Sequence, residues 1–174
     1  MDKINKEFFL RNADIVACEL LGCEIVRIVD GKELRGKIVE TEAYFGKEDP
    51  SSRACQNGDL RDTMMMDAGT ILVYGVHNNW LVNFITNCEG IASAVLIRAI
   101  EPLNFNGRGN GPGLLTRALG IDKKLHKKKI GDELKVVVRK KRPLIGQSFR
   151  IGVKKDLSKP MRFFIKENKY VSGR

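Results

Sequence analysis

Metal-binding residues are scarce in this chain of 174 residues, which has only two histidines and four cysteines. No Cys-x-x-Cys pair occurs, so the sequence predicts neither a zinc nor an iron–sulfur site. An apolar run of roughly 18 residues, as a bilayer span would need, is also missing. The first residues, MDKINKEFFLRN, lack the apolar segment of a secretory signal. We therefore expect a cytoplasmic protein with reduced thiols and no membrane span.

Negative charge is in deficit, with 21 Asp and Glu against 31 Lys and Arg, which gives a formal net charge of +10. The excess indicates a polyanionic partner, either a nucleic acid or an anionic surface, although a cationic surface without such a partner fits too. Two dense basic runs lie at residues 123–129 (KKLHKKK) and 139–142 (RKKR). Such runs neutralise phosphates but carry no information about base sequence.

One stretch, GKIVETEAY at residues 36–44, combines a β-favouring run with two carboxylates. Positions two apart in a strand share a face, so Glu40 and Glu42 point the same way and Thr41 points opposite. Two carboxylates on one face are candidates for acid/base chemistry if their environments separate them. The spacing alone favours the plainer interpretation of a solvated face of an edge strand.

The rest of the chain alternates short strands and turns with a few helices, which predicts an α+β fold in a single domain spanning residues 1–174. We expect a curved, mostly antiparallel sheet with surrounding helices. The Asp30-Gly31 pair predicts a hairpin that places the two carboxylates far from its turn. Predicted helices cover 13–21 and 112–119; predicted strands cover 24–29, 34–44, 71–76, 81–86, 94–100, 136–138, 148–153 and 162–165, while 55–63 is polar and irregular.

The glycine-rich segment 104–113 (NFNGRGNGPG) lacks the spacing of a dinucleotide-binding loop. It could approach a phosphate through its N–H groups, but a plain flexible loop is the more common use of such a sequence. A basic surface, an acidic pair at a strand end and nearby tyrosines together favour a pocket that stacks a planar ligand beside a carboxylate. That combination suits enzymes that act on a base taken out of the duplex.

Several motifs in order resemble the 3-methyladenine (alkyladenine, or methylpurine) DNA glycosylases of the human type. The main ones are GKIVETEAYFGKEDPSS at 36–52, LIRAIEP at 96–102, GPGLL at 111–115 and the tail RIGVKKDLSKPMRFF from 150. The resemblance covers nearly the whole chain, so it implies one methylpurine-DNA-glycosylase-like domain. It also implies a monomer that acts on double-stranded DNA with alkylated purines and needs no metal, cofactor or membrane.

The resemblance implies roles for individual residues. Glu42 matches the general base, which activates a water for attack on the deoxyribose C1′ carbon. Tyr44 and Tyr74 match the aromatics that sandwich the flipped base. Asn83 matches the asparagine that screens the purine edge, and Arg98 matches the arginine that helps to position the water and the DNA.

Two positions depart from the family pattern. Arg53 stands where the family has a histidine at the base-binding site, and an arginine beside a cationic base is unfavourable unless it turns away. His77 stands where the family has the residue that intercalates into the gap left by the flipped base. An alternative alignment of Tyr74-Gly75-Val76 makes Tyr74 the intercalating residue instead.

The implied activity is flipping of damaged purines and hydrolysis of the N-glycosidic bond, with 3-methyladenine and 7-methylguanine as substrates and no strand cleavage. The alternative is a non-catalytic nucleic-acid-binding module that uses the basic runs alone. Such a module would not need the acidic pair beside Tyr44, which would partly oppose phosphate binding.

Overall fold

A computed structural model describes residues 2–139 and 143–173 of the chain. Its described part contains one antiparallel sheet of eight strands, with four short α-helices and two 3₁₀ turns around it. The strands are β1 (Glu24–Val29), β2 (Lys32–Tyr44), β3 (Ile71–Val76), β4 (Asn79–Ile85), β5 (Ala94–Pro102), β6 (Leu134–Val137), β7 (Ile145–Ser148) and β8 (Arg162–Ile165). The helices are α1 (Lys6–Phe9), α2 (Ala13–Leu20), α3 (Asp59–Met64) and α4 (Pro112–Ala118), and the 3₁₀ turns are Arg53–Cys55 and Lys123–Leu125.

Strand β2 is the centre of the sheet, whose main order is β3-β4-β5-β2-β1-β6. One edge of β2 pairs with β5. The other edge pairs with β1 as far as Lys37 and with β8 from Glu40 to Glu42. The sheet curls into a half-barrel, so the predicted α+β class with a curved antiparallel sheet is confirmed.

A β-bulge interrupts β2 just before its two carboxylates. Ile38 pairs with Ile100 and Glu40 with Ala99, so the register slips at Val39. A bulge inserts one residue and changes which face the following side chains take. Accordingly Ile38 packs in the main core, whereas Val39 packs in a separate small cluster with Ala99 and Val171.

The main core lies between the sheet and α2. Its largest fully buried side chains include Phe9, Leu20, Phe84 and Ile97. Burial of each such side chain stabilises the fold by about 1.5–3 kcal/mol. Thr41, on the core-facing side of β2, donates its hydroxyl hydrogen to the carbonyl of Ala17 in α2 at 2.9 Å. This contact locks the helix against the strand that carries both carboxylates.

Some predicted elements differ from the observed ones. The strand predicted over 148–153 is wrong beyond Ser148, because Gly152 has a positive φ of 72° and Arg150 bonds Asp156 in its own loop. The segment 55–63, expected to be irregular, contains most of α3. Of the basic run at 139–142, only Arg139 lies within the described residues.

The glycine-rich segment 104–113 is closely packed at several points. A Cβ at Gly109 would lie 2.1 Å from the carbonyl oxygen of Ile100, and one at Gly113 would lie 2.6 Å from the Cβ of Asn79. Gly109 also accepts a hydrogen bond from the Ile100 N–H at 2.9 Å. These glycines therefore allow a close approach of backbones, which differs from the expected plain flexible loop.

Candidate active site

A cleft of about 800 Å³ opens beside the C-terminal half of β2. Five of the seven site residues predicted from the sequence line it: Tyr44, Arg53, Tyr74, His77 and Arg98. They come from β2, a 3₁₀ turn, the β3–β4 hairpin and β5. The cleft is thus assembled from segments that are distant in sequence, and its position depends on the pairing of β5 with β2.

Glu42 lies in the wall behind this cleft and is fully buried. Its Oε1 accepts a hydrogen bond from the Ile151 N–H at 2.8 Å, and its Oε2 accepts one from the Tyr44 hydroxyl at 2.7 Å. Burial raises the pKa of the Glu42 carboxyl, and the charge of Arg98 and these two hydrogen bonds only partly oppose the rise. The carboxylate is therefore a stronger base than an exposed glutamate.

Glu40 is equally buried but is held by different partners. Its Oε1 accepts from Arg162 Nε at 2.6 Å and from the Ser172 hydroxyl at 3.0 Å. Its Oε2 accepts from the Ser172 N–H at 2.6 Å. A guanidinium and the C-terminal segment therefore occupy both oxygens of Glu40.

Arg98 of β5 lies between the two carboxylates. Its Nη1 is 3.5 Å from Glu42 Oε1, and its Nε is 3.3 Å from Glu40 Oε1 but is not aligned to donate a hydrogen bond. The guanidinium also lines the cleft. Arg98 therefore places positive charge beside Glu42 on the side from which a ligand would approach.

Tyr44 connects the cleft to the buried carboxylate. Burial and the nearby Glu42 charge raise the pKa of the Tyr44 hydroxyl, which stays protonated and donates to Glu42. The guanidinium of Arg150 lies over the Tyr44 ring, with Cζ 4.4 Å from the ring centroid. Tyr74, which also lines the cleft, has Arg53 over its ring at 4.8 Å. Both tyrosines thus hold a cation against their rings.

Asn83 does not line the cleft. It is almost fully buried in β4, and its side-chain amide donates to the Leu72 carbonyl at 3.3 Å. It borders a recess of about 10 Å³ that shares Tyr44, Tyr74 and Arg53 with the cleft wall. The recess in this conformation is too small for a purine.

His77 is exposed at the tip of the β3–β4 hairpin and lines the cleft. His77 and Asn78 have positive φ values of 47° and 60°, the pattern of a two-residue hairpin turn that matches the twist of the strands. The turn places the imidazole at the outer end of the hairpin, whereas Tyr74 lies deeper in the cleft, stacked with Arg53.

Sequence reasoning missed Arg150 as a member of the site. The side chain is fully buried, and its guanidinium forms two 2.7 Å hydrogen bonds to Asp49 and one of 2.8 Å to Asp156. Burial opposes its charge, but these carboxylates outweigh that effect and raise the pKa of Arg150. Because Ile151 follows Arg150 directly, the arginine also anchors the N–H that binds Glu42. The alternation of residues around 150 gives no signal of this role.

The charges around the cleft are mostly positive. Lys154 and Lys155 line it together with Arg53 and Arg98. Within residues 2–139 and 143–173, no group of three His, Cys, Asp or Glu side chains could hold a metal ion. No helix in the same part of the chain is long and apolar enough to cross a bilayer.

A buried carboxylate behind two tyrosines, in a cleft lined by cations, has the chemistry that a planar ligand attached to a polyanion would need. Comparison with known proteins supports a nucleic acid as this polyanion. Residues 7–169 match the family model described as methylpurine-DNA glycosylase (MPG), and the chain belongs to this family.

Relatives that carry the printed name "Putative 3-methyladenine DNA glycosylase" are similar to the chain over almost its whole length. One from Aeropyrum pernix is 37% identical and covers 96% of this chain and 91% of its own length. One from Legionella pneumophila (strain Corby) is 37% identical and covers 99% of each chain. One from Listeria monocytogenes is 39% identical and covers 98% and 92%.

Proposed function

We propose that this protein is a DNA glycosylase that flips alkylated purines out of duplex DNA and hydrolyses their N-glycosidic bond. The observation that carries the proposal is the fully buried Glu42, whose pKa is raised and whose oxygens are held by the Ile151 N–H and the Tyr44 hydroxyl. Family membership and the names of the relatives support the reaction class. The proposed substrates are 3-methyladenine and 7-methylguanine.

In the proposed mechanism, Glu42 accepts a proton from a water whose oxygen forms a bond to the C1′ carbon. The bond between C1′ and the purine nitrogen breaks, and its electron pair leaves with the base. A purine methylated at N3 or N7 is cationic in the nucleoside, so it leaves as a neutral base. Glu42 and Arg98 together position the water, and the carboxylate stabilises the positive charge that develops on the sugar.

Binding of the flipped base is assigned to the aromatic side chains of the cleft. Tyr44 and Tyr74 would stack on the purine, and the attraction of a cationic base to such rings is worth about 0.5–2 kcal/mol. Arg53 would contact the base from the 3₁₀ turn, and Asn83 would screen the purine edge once the recess opens. His77 at the hairpin tip would fill the gap left in the duplex, a place that its exposure suits better than the deeper position of Tyr74.

Hydrolysis by an activated water needs no lysine nucleophile, so the product would be a free base and an abasic site in an unbroken strand. Lys154 and Lys155 of the cleft would contact DNA phosphates and make binding sensitive to salt. We also propose a monomer with a single domain over 1–174, acting in the cytoplasm on chromosomal DNA without metal or cofactor.

The test is release of free base from methylated duplex DNA under single-turnover conditions by the wild type and by Glu42→Gln. Loss of a general base is expected to lower the rate by roughly 10²–10⁴-fold. Glu89→Gln, an exposed change of the same kind, is the matched control and should leave the rate unchanged. Equal rates for wild type and Glu42→Gln would remove Glu42 from the mechanism. No base release at all, with equal affinity for damaged and undamaged DNA, would favour the non-catalytic binding module.

A further inference from the structure

Arg53 is the cleft cation whose contact with the base the proposed mechanism leaves unspecified. Its guanidinium lies over the Tyr74 ring at 4.8 Å. Within the part of the chain that the structure describes, its side chain forms no hydrogen bond or ion pair, whereas Arg98 lies within 3.5 Å of two carboxylates. An exposed guanidinium held only by an aromatic ring is free to leave that ring and to bind another acceptor.

The position of Arg53 also controls access of a base to Asn83. Arg53, Tyr44 and Tyr74 line both the cleft and the recess of about 10 Å³ that holds Asn83. A volume of that size accommodates a single water at most. A purine that stacks on Tyr74 and reaches Asn83 therefore has to displace Arg53 from the ring.

This displacement affects cationic and neutral purines differently. A cationic purine gains a contact with the Tyr74 ring only by replacing the contact that Arg53 already makes, and it then lies beside a displaced positive charge. A neutral purine with acceptors at O6 and N7 offers two hydrogen bonds to the guanidinium, as guanine does to arginine in the major groove.

We propose that Arg53 is a specificity-determining residue that favours neutral purines with an O6/N7 acceptor edge over cationic methylated purines. The proposal rests on the proposed function, because it concerns which bases the same site releases. Two tyrosines alone would favour cationic bases. Arg53 would reduce that preference, so the selectivity would depend on one exposed side chain of the 3₁₀ turn.

The experiment measures single-turnover release, at saturating enzyme, from duplexes that contain either 7-methylguanine or hypoxanthine. The first base is cationic in the nucleoside with N7 blocked, and the second is neutral with O6 and N7 free. Arg53→Met is expected to raise the 7-methylguanine rate and to lower the hypoxanthine rate, each by about fivefold or more. Arg53→Lys keeps the charge but loses the planar donors, so only the hypoxanthine rate should fall.

The matched control is Lys155→Met, which removes one positive charge from the same cleft without touching Tyr74. It should leave the ratio of the two rates as in the wild type, because weaker phosphate binding affects both duplexes alike. Equal factors for the two lesions in Arg53→Met would overturn the role of Arg53 and leave the glycosylase proposal intact. A wild type that releases neither base, or Glu42→Gln as fast as wild type, would overturn the proposed function together with the role of Arg53.

Discussion

Glu40 and Glu42 lie two residues apart on one strand and are buried to the same extent, yet their surroundings differ. Glu40 accepts hydrogen bonds from a guanidinium and from both donors of Ser172. Glu42 accepts its two shortest hydrogen bonds from neutral donors, the Ile151 N–H and the Tyr44 hydroxyl.

The difference shows that equal burial does not give two carboxylates equal chemistry. Arg162 compensates the charge of Glu40 directly, at 2.6 Å. Among the described residues, the cation that opposes the charge of Glu42 is Arg98, at the longer distance of 3.5 Å, and burial raises the pKa of Glu42. The first arrangement suits a structural ion pair, and the second suits a base that has to exchange a proton.

The largest expected effect is on stability. Glu40→Gln leaves the buried guanidinium of Arg162 without its counter-charge and should lower the free energy of unfolding by about 3–5 kcal/mol. Glu42→Gln should change it by no more than about 1 kcal/mol, because the ionised Glu42 is itself costly to bury. Chemical denaturation of both variants at neutral pH checks this, and equal losses would mean that the two environments are equivalent.

The pH dependence of that difference has a defined sign. The folded protein holds the Glu42 proton more tightly than the unfolded chain does, so ionisation of Glu42 lowers stability as pH rises above the ordinary value of 4.5. Below that value the cost is absent. Any stabilisation by Glu42→Gln should therefore appear at neutral pH and disappear in acid.

An intermediate effect is expected from Tyr44→Phe, which keeps the ring but removes the hydroxyl that donates to Glu42. A hydrogen bond to a charged group is worth about 1.5–3 kcal/mol, and its loss should raise the pKa of Glu42 further. Because the ionised form is the active base, the rate falls as pH falls through this pKa. The acid limb of the single-turnover pH–rate profile should therefore move to higher pH, with the rate recovered in more alkaline buffer. An acid limb at the same pH as in the wild type would mean that the Tyr44 hydroxyl does not affect the pKa of Glu42.

The smallest effect is expected from Ser172→Ala. It removes one hydroxyl from Glu40, while the Arg162 guanidinium and the Ser172 N–H remain bound. The free energy of unfolding should fall by about 0.5–1.5 kcal/mol, with base release unchanged. Ser158→Ala, at an exposed serine, should alter stability by less than about 0.5 kcal/mol. A lower rate of base release by the folded Ser172→Ala variant would mean that the C-terminal segment takes part in the chemistry.

Much of the fold was predictable because its signals are local. The helix from Ala13 ends before Gly22, which has a positive φ of 86°, and the Asp30-Gly31 turn joins β1 to β2 as expected. The strand predicted over 148–153 failed because alternation of apolar residues cannot show that Arg150 is tied to Asp49, about a hundred positions away. Of the five predicted site residues that line the cleft, Tyr44, Tyr74 and Arg98 match motif residues, whereas Arg53 and His77 were found only through their positions relative to those motifs.

The sequence by itself determined that two carboxylates and a tyrosine occur at every second position of one strand in a basic α+β protein. Residue spacing sets which side chains share a face of a strand. Only the tertiary structure decided what that face meets. The bulge at Val39 separates Glu40 and Glu42 from the core-facing Ile38. Pairing with β8 brings Arg162 to Glu40, and the loop after β7 brings the Ile151 N–H to Glu42. These contacts are non-local, and they separate a structural carboxylate from a candidate base.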